Sequence, residues 1–553
     1  MTVESGINTI GLRALPRRQV VITFVGVLLA MFLSSLDQTI VGIAMPRIIT
    51  DLGGFTHYTW VTTAYMIAST VTVPITGKLI DMYGRKVLYI IGLIIFTVFS
   101  LLCGLSQTMM QIIIFRGLQG AGAGIMMANA FTVIGDLFPP GQRGTYQGMI
   151  SAVFGLSSVI GPSLGGFLTD MLSWHWVFFI NIPLGLAIIG LFIAFFPHLR
   201  PENANHKVDY AGVVLLILTV VPLMLALSWG GAEYPWASVI IIGMLVFAVA
   251  MGVVFVVVES RTEHPILPLS LFRNRIVAIS EVVIFFTGVA MFGTIIFVPL
   301  FFQGVLGASA AISGGFLTPM MLGMVLGSFL SGQMLSRTGG HYRIQGAVGI
   351  AIMAVAMFLL SRMTVETSNA MAVVNIILAG FGLGTTMPLY VIAVQNAVTY
   401  EVLGVATSST TFFRSIGGAL GLSIFGSVLN NRFATEFMDK LPSTVKAVVP
   451  AERLDFLVHN PQVLVSPEAG TQLKGMFTMF GAQGAALFDQ VMQALRQALS
   501  SALSLVFIIA FAMLIIAFLV NLFIKEVPLR KGHVLAESGT GDSPEKPVDK
   551  TAE

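Results

Sequence analysis

Apolar residues in this chain come in long unbroken runs, without the alternation of a half-buried strand or the narrow stripe of a surface helix. A helix needs roughly 20 apolar residues to cross the hydrocarbon of a bilayer. Fourteen runs of about that length occur, at residues 20–45, 58–80, 87–106, 109–135, 145–170, 176–196, 210–228, 237–258, 277–302, 313–335, 344–361, 371–394, 406–429 and 501–524. A membrane β-barrel would show alternating segments of about ten residues instead. The pattern therefore predicts an all-α polytopic membrane protein. The first run follows Arg13, Arg17 and Arg18 and lacks a small-residue cleavage site, so it is expected to stay as the first span.

Composition narrows the function classes. Of 553 residues, 56% are hydrophobic and 10% are charged, whereas a soluble domain carries about 25% charged residues. A water-soluble enzyme, a disordered protein and a nucleic-acid binder are excluded as whole-chain readings. The net charge of +3 is too small to imply a polyanionic partner. The single cysteine, Cys103, allows neither a disulfide within the chain nor a cysteine metal cluster. No Walker loop, His-rich metal motif or Ser-His-Asp signature is found. Neither an enzyme nor an ATP-driven pump is expected, and no cofactor.

Positive charge sets the orientation. With the N-terminus in the cytoplasm, nineteen of the 29 Lys and Arg fall in inner segments, against two, Arg47 and Arg362, in short outer loops. Both termini are thus expected in the cytoplasm of a protein in the cell membrane. All five tryptophans, Trp60, Trp174, Trp176, Trp229 and Trp236, then fall at or beside outer helix ends, where an aromatic belt lies.

An internal repeat organises the spans. Gly77 to Lys86, at the end of the second span, is echoed by Gly332 to Gly339 at the end of the tenth, an offset of 255. Gly120, Gly122, Gly124 and Gly144 recur as Gly380, Gly382, Gly384 and Gly404, an offset of 260. The resulting plan is a cytoplasmic N-terminus (1–19), a six-helix bundle (20–197), a linker carrying an extra two-helix hairpin (198–275), a second six-helix bundle (276–525) and a cytoplasmic tail (526–553). Residues 430–500 fall outside the membrane on the outer side. Four prolines break this loop, and residues 472–500 read as a polar-to-amphipathic helix leading into the last span.

Ionisable side chains inside spans are costly and point to function. Asp37 lies about eight residues from the outer end of the first span, roughly 12 Å deep at 1.5 Å per residue. A carboxyl drawn out of water there is a candidate to take up and release a proton. Arg116 lies at similar depth on the antiparallel fourth span. A protonatable acid beside a permanent cation makes a switch. Glu281, near the cytoplasmic end of the ninth span, reads either as a further proton or cation site or as a residue snorkelling toward Arg273 and Arg275. Arg414 in the thirteenth span has no evident task beyond ordering helices. The fifth span carries Gly155, Gly161, Pro162, Gly165 and Gly166, small residues that allow close helix approach together with a kink, which suits a hinge between the halves.

Several of these runs resemble a known family. Gly77 to Lys86 is similar to the cytoplasmic loop signature of the major facilitator superfamily, and Arg116 to Gly124 to its fourth-span signature. Gly155 to Gly166 resembles the fifth-span signature associated with antiporters. Leu36 to Pro46 and Trp174 to Pro183 are similar to the fourteen-helix drug–proton antiporter branch. The resemblance implies two six-helix bundles plus two extra helices around a central cavity, and export of amphipathic compounds driven by proton entry. It implies proton coupling through Asp37 and Arg116, and a cytoplasmic latch from Gly77, Asp81, Gly84, Arg85 and Lys86. Polar or aromatic groups within spans, Tyr65, Asn129, Phe285, Gln303, Tyr390 and Asn396, are candidates to line the cavity. Expected partners are protons, membrane lipid and a small amphipathic or lipophilic substrate, with no nucleic acid, for a chain working as a monomer. A lipid or glycolipid exporter of the same fold, guided by the 430–500 loop, is the alternative.

Overall fold

In lipid, every backbone N–H and C=O must be satisfied by the chain itself, which leaves a sequence of long apolar runs only the helix. The computed structural model describes residues 16–52, 58–197, 207–231, 233–307, 317–450 and 483–529, with seven scattered positions between 451 and 482. Its long helices are α1 (Arg17–Leu52), α2 (Tyr58–Tyr83), α3 (Arg85–Gly104), α4 (Met109–Leu137), α5 (Pro140–Met171), α6 (Trp176–Phe195, turning at Ile180), α7 (Tyr210–Trp229) and α8 (Val239–Glu259). They continue as α9 (Arg275–Leu300, ending in a π-turn over Phe301–Val305), α10 (Leu317–Thr338), α11 (Tyr342–Ser361), α12 (Asn369–Ala397), α13 (Leu403–Lys440) and α14 (Gly484–Asn521). Side chains cap several starts: Thr108, Ser238, Asn274 and Ser368 each accept from a backbone N–H of the first turn.

Eleven of these helices are long and apolar enough to cross a membrane. Of the remaining three, α2 is rich in threonine, α4 in glycine and α10 in glycine and serine, and each packs closely against helices of its own half. They lie where close helix approach matters more than contact with lipid tails. The packing repeats between the halves. In the first, α2 and α3 lie on α4, and α1 lies on α5; in the second, α10 and α11 lie on α12, and α9 lies on α13. The hairpin α7–α8 stands between the halves, with α7 against both α2 and α13.

The two halves meet along two seams, α5 with α10 and α2 with α13. The end of the bundle where α1 begins and α14 finishes is termed basal, the other apical. The seams are tightest at the basal end. A Cβ on Gly144 would collide with the Gly332 backbone, and one on Gly332 with the Gly144 backbone. Only glycine fits either position at this approach. On the α2–α13 seam, a Cβ on Gly77 would strike Ser408 and the Gly404 carbonyl. All five tryptophans lie toward the apical end.

The outer loop agrees with the sequence expectation in part: from Gly484 on, the helix expected over 472–500 leads into the last span, whereas α13 runs further than the expected 406–429. α13 runs unbroken to Lys440 and α14 starts at Gly484, so both helices project beyond the apical end as continuous rods. Their extensions share an apolar interior of Phe433, Phe437, Leu487, Val491 and Leu495, continuous with the core of the second half. A short helix, Ser443–Val448, adds Val445 to it. All four prolines of the loop lie between the two rods, and the apolar stripe on each helix is what extends it beyond the membrane. At the basal end, Leu529 donates to Gly339 at 2.9 Å and Asn396 donates to Pro528 at 3.1 Å, tying the chain after α14 across the α10–α11 turn and α12.

Candidate functional site

Five helices of the first half converge on Asp37, which is wholly shut off from solvent. One carboxylate oxygen accepts from Arg116 Nη1 at 2.5 Å. The other accepts from Gln119 Nε2 at 3.0 Å and from Asn181 Nδ2 at 2.8 Å. Arg116 Nη1 also donates to Gln119 Oε1 at 2.8 Å, and its guanidinium lies 4.2 Å from the centre of the Tyr65 ring. Ser100 accepts from Asn181 at 3.0 Å and donates to the Phe178 carbonyl at 2.9 Å, and Tyr65 pairs with Ser34 at 3.3 Å. The local sequence explains the assembly. Arg116 and Gln119 are three residues apart on α4 and share a face, while Asn181 opens the second segment of α6 after the turn at Ile180. The carboxylate is therefore held by one cation and two amides. Arg116 Nε has no partner among the described residues, so the guanidinium is not fully used.

A second cluster closes the basal end. Asp81 accepts from the backbone N–H groups of Gly404 and Val405, each at 3.0 Å, across the α2–α13 seam. Arg85 donates to Asp136 at 2.7 Å and to Asp81 at 3.5 Å, with its guanidinium 5.2 Å from the Tyr400 ring centre. Gly84, at φ 88, occupies the left-handed region and lets the chain turn from α2 into α3. Arg143, on α5, donates to the Gly135 carbonyl at 2.6 Å and to Gln395 of the other half at 3.1 Å. Gln395 returns a bond to the Phe131 carbonyl at 3.3 Å.

The third cluster belongs to the second half. Glu281 is buried, not snorkelling, and accepts from Ser409 at 2.5 Å. Its other oxygen and Arg414 Nη2 are both buried without a hydrogen-bond partner among the described residues. No hydrogen bond or ion pair joins the two among the described residues. Among the described residues no hydrogen bond or ion pair links this cluster to Asp37.

Three buried charge clusters thus lie inside the helical bundle, and the one at the basal end bridges the two halves. The model of the Major Facilitator Superfamily matches residues 27–422. The chain belongs to this superfamily. It is 41% identical over 93% of its length to the multidrug transporter protein MdtP of Bacillus subtilis (strain 168), covering 94% of that protein. It is 37% identical over 91% of its length to multidrug resistance protein 3 of the same organism, covering 95% of that protein. The crystal structure of the human organic anion transporter MFSD10 (TETRAN) shares the fold, with a TM-score of 0.56, 14% identity, and cover of 90% of this chain and 100% of that one. The protein is a multi-pass membrane transporter and not an enzyme.

Within the superfamily fold, the residues singled out from sequence separate. Asp37 and Arg116 meet directly. Of the latch set, Gly77, Asp81 and Arg85 touch the other half, whereas Lys86 donates to the Ile193 carbonyl of its own half at 2.9 Å. Of the fifth-span set, Gly155 faces Met321 across the α5–α10 seam. Gly161 and Gly165 instead pack on Thr39 and Ile40 of α1, Pro162 sits within α5, and a Cβ on Gly166 would meet nothing. Close approach of the halves is served by Gly144 and Gly148, which the sequence reading did not select for it.

The proposed cavity residues do not gather into one wall. Tyr65 belongs to the Asp37 cluster. Asn129 is buried and donates to the Ile125 carbonyl of its own helix, and Phe285 lies edge-on to Phe286. Gln303 sits in the π-turn at the apical end of α9. Tyr390 donates to Asn521 at 2.7 Å, and Asn396 holds the chain after α14, so both are structural ties of the second half. Gln119, Asn181, Arg143, Gln395 and Ser409 were not read from sequence. Gln119 and Asn181 lie inside the quoted family runs, and that was their only signal.

Proposed function

We propose that this chain is a proton-coupled exporter of small amphipathic compounds in the cell membrane, with its basal end facing the cytoplasm. The observation that carries the reading is the Asp37 cluster: an acid buried in the bundle, balanced by a permanent cation and two neutral amides. A proton arriving from the apical side neutralises Asp37. Arg116 then loses its counter-charge while Gln119 and Tyr65 still hold it, so the helices that bring these groups together change their preferred arrangement. Such a change drives transport only if it stabilises one arrangement of the halves over the other.

The described conformation has the basal seams shut. On this reading it is the outward-facing part of the cycle, in which a proton enters and substrate leaves. Asp81 on the Gly404 and Val405 amides and Arg143 on Gln395 keep it shut, and these bonds break when the cytoplasmic side opens. The names of the Bacillus relatives support drug compounds as cargo, and the charge bias of the loops supports the orientation. Proteoliposomes loaded with ethidium and given an imposed pH gradient test the reading. Dye movement against its gradient, collapsed by a protonophore, is the expected result. Failure of a broad amphipathic panel to move under either a proton or a sodium gradient overturns it.

A further inference from the structure

α2 and α13 touch at the basal end but are parted toward the apical end by a cavity of about 280 Å³, which α7 of the extra hairpin closes on a third side. None of its described lining residues is acidic, basic or histidine. Thr63 and Met66 come from α2, Met224 and Ser228 from α7, and Ser423 and Gly426 from α13. Above it, the hairpin is fastened to both halves. Trp229 lies edge-on to Trp60 of α2, with ring centres 5.1 Å apart, and Trp236 donates to Ser427 of α13 at 2.6 Å.

We propose that this apical cavity binds an uncharged amphipathic molecule with an apolar body and one hydrogen-bonding group. A cation would be drawn from water here with no counter-charge on the walls. Methionine side chains adapt to apolar bodies of varied outline. The Thr63 and Ser228 hydroxyls line it and share one bond at 3.3 Å; a hydroxyl can both donate and accept, so each keeps capacity for a further partner. A Cβ on Gly426 would meet nothing within 4 Å, so part of the cavity wall is bare. The volume is at the lower end of ligand pockets, which run from about 300 to 1,000 Å³, and so fits a small ligand or one limb of a larger one. The site is separate from the Asp37 cluster and gives the hairpin a part in choosing cargo. Its effect on efflux rests on the exporter reading, but binding does not.

The test uses the full chain purified in detergent, without a gradient, and the neutral fluorescent probe N-phenyl-1-naphthylamine. Gly426→Phe is expected to fill the cavity and raise the probe Kd at least tenfold. Gly190→Phe is the control, because a Cβ on Gly190 also meets nothing within 4 Å; it should leave the Kd unchanged. Ethidium binding should change less than twofold in both. A second measurement covers misfolding of Gly426→Phe. The one native cysteine, Cys103, is buried, so a maleimide should label Gly426→Cys selectively, and the probe should slow that labelling but not the labelling of Gly190→Cys. The proposal is overturned if wild type shows no saturable probe binding, if Gly426→Phe binds the probe normally, if the probe fails to protect Gly426→Cys, or if the Gly190 variants behave like the Gly426 variants. Intact probe binding without any gradient-driven efflux would refute the exporter reading and leave this site standing.

Discussion

Replacing Asp37 by asparagine separates the charge of the cluster from its shape. The amide retains the volume and an oxygen that can accept from Gln119 or Asn181, now at 3.0 and 2.8 Å. It cannot carry a proton, and it strands Arg116, whose 2.5 Å partner is gone. Breaking a buried ion pair from one side costs about 3–5 kcal/mol. The bond to Gln119 and the cation–π contact with Tyr65, worth about 0.5–2 kcal/mol, remain and place the loss near the lower end, at about 3 kcal/mol. Replacing Arg116 by glutamine as well removes the stranded charge, so Asp37→Asn/Arg116→Gln should regain most of that stability. Both variants should lose gradient-driven efflux while the single variant still binds dye. Thermal unfolding in detergent and proteoliposome efflux read the two effects. Equal stability of the single and double variants would mean that the charges are not coupled. Active efflux by Asp37→Asn would remove Asp37 as the coupling acid.

Three further changes address other parts of the molecule. Asp81→Asn leaves one acceptor for the Gly404 and Val405 amides; losing one bond to a charged group, about 1.5–3 kcal/mol, should slow turnover tenfold or more without reordering substrates, and a changed order at normal rate would refute the latch. Glu281→Gln keeps an acceptor for Ser409, so the variant should fold; if Glu281 exchanges protons its efflux should lose part of its pH dependence, and a pH–rate profile identical to wild type would exclude it from coupling. Lys440 bonds to the Gln497 carbonyl and to Ser501, so the start of α14 stands roughly 20 Å beyond the end of α13 at 1.5 Å per residue. Deleting residues 442–483 therefore needs a linker of about six residues, at 3.3 Å each; with it, a monodisperse protein that still exports dye is expected, whereas loss of folding would show the deleted segment to be structural, and loss of lipid export alone would favour lipid handling.

The number of long helices, the internal repeat and the Asp37–Arg116 encounter were legible because each is written in one dimension: runs of apolar residues, a constant offset, and equal depth on antiparallel helices. Partners chosen by rotation about a helix axis were not. Gly161 and Gly165 share the small-residue run with Gly155, yet a six- or ten-residue step along α5 carries them round to face α1 instead of α10. Tyr390 and Asn396 looked like cavity residues because they are polar and within a span, and depth alone cannot say that they point toward the end of α14 and the chain after it. Arg143 was counted as loop charge. Its burial follows from the close approach of Gly144 to Gly332, a contact between halves that no local pattern announces.

The two glycine contacts at the basal end carry a consequence for how the halves can move. Gly77 meets Gly404 where α2 crosses α13, and Gly144 meets Gly332 where α5 crosses α10. Gly77 and Gly332 are one position in the two repeats, and so are Gly144 and Gly404, by the offsets of 255 and 260. The two contacts are thus a single contact made twice with its partners exchanged, which is the pattern of an isologous dimer interface built within one polypeptide. A pseudo-twofold axis passes between them, and tilting that opens one seam by itself would break the equivalence. A motion that respects the axis loosens both alike. The polar clasp does not obey this symmetry, because the position 255 residues beyond Asp81 is Ser336. One crossing is backbone against backbone alone; its twin adds a carboxylate that accepts from two backbone amides of the other half.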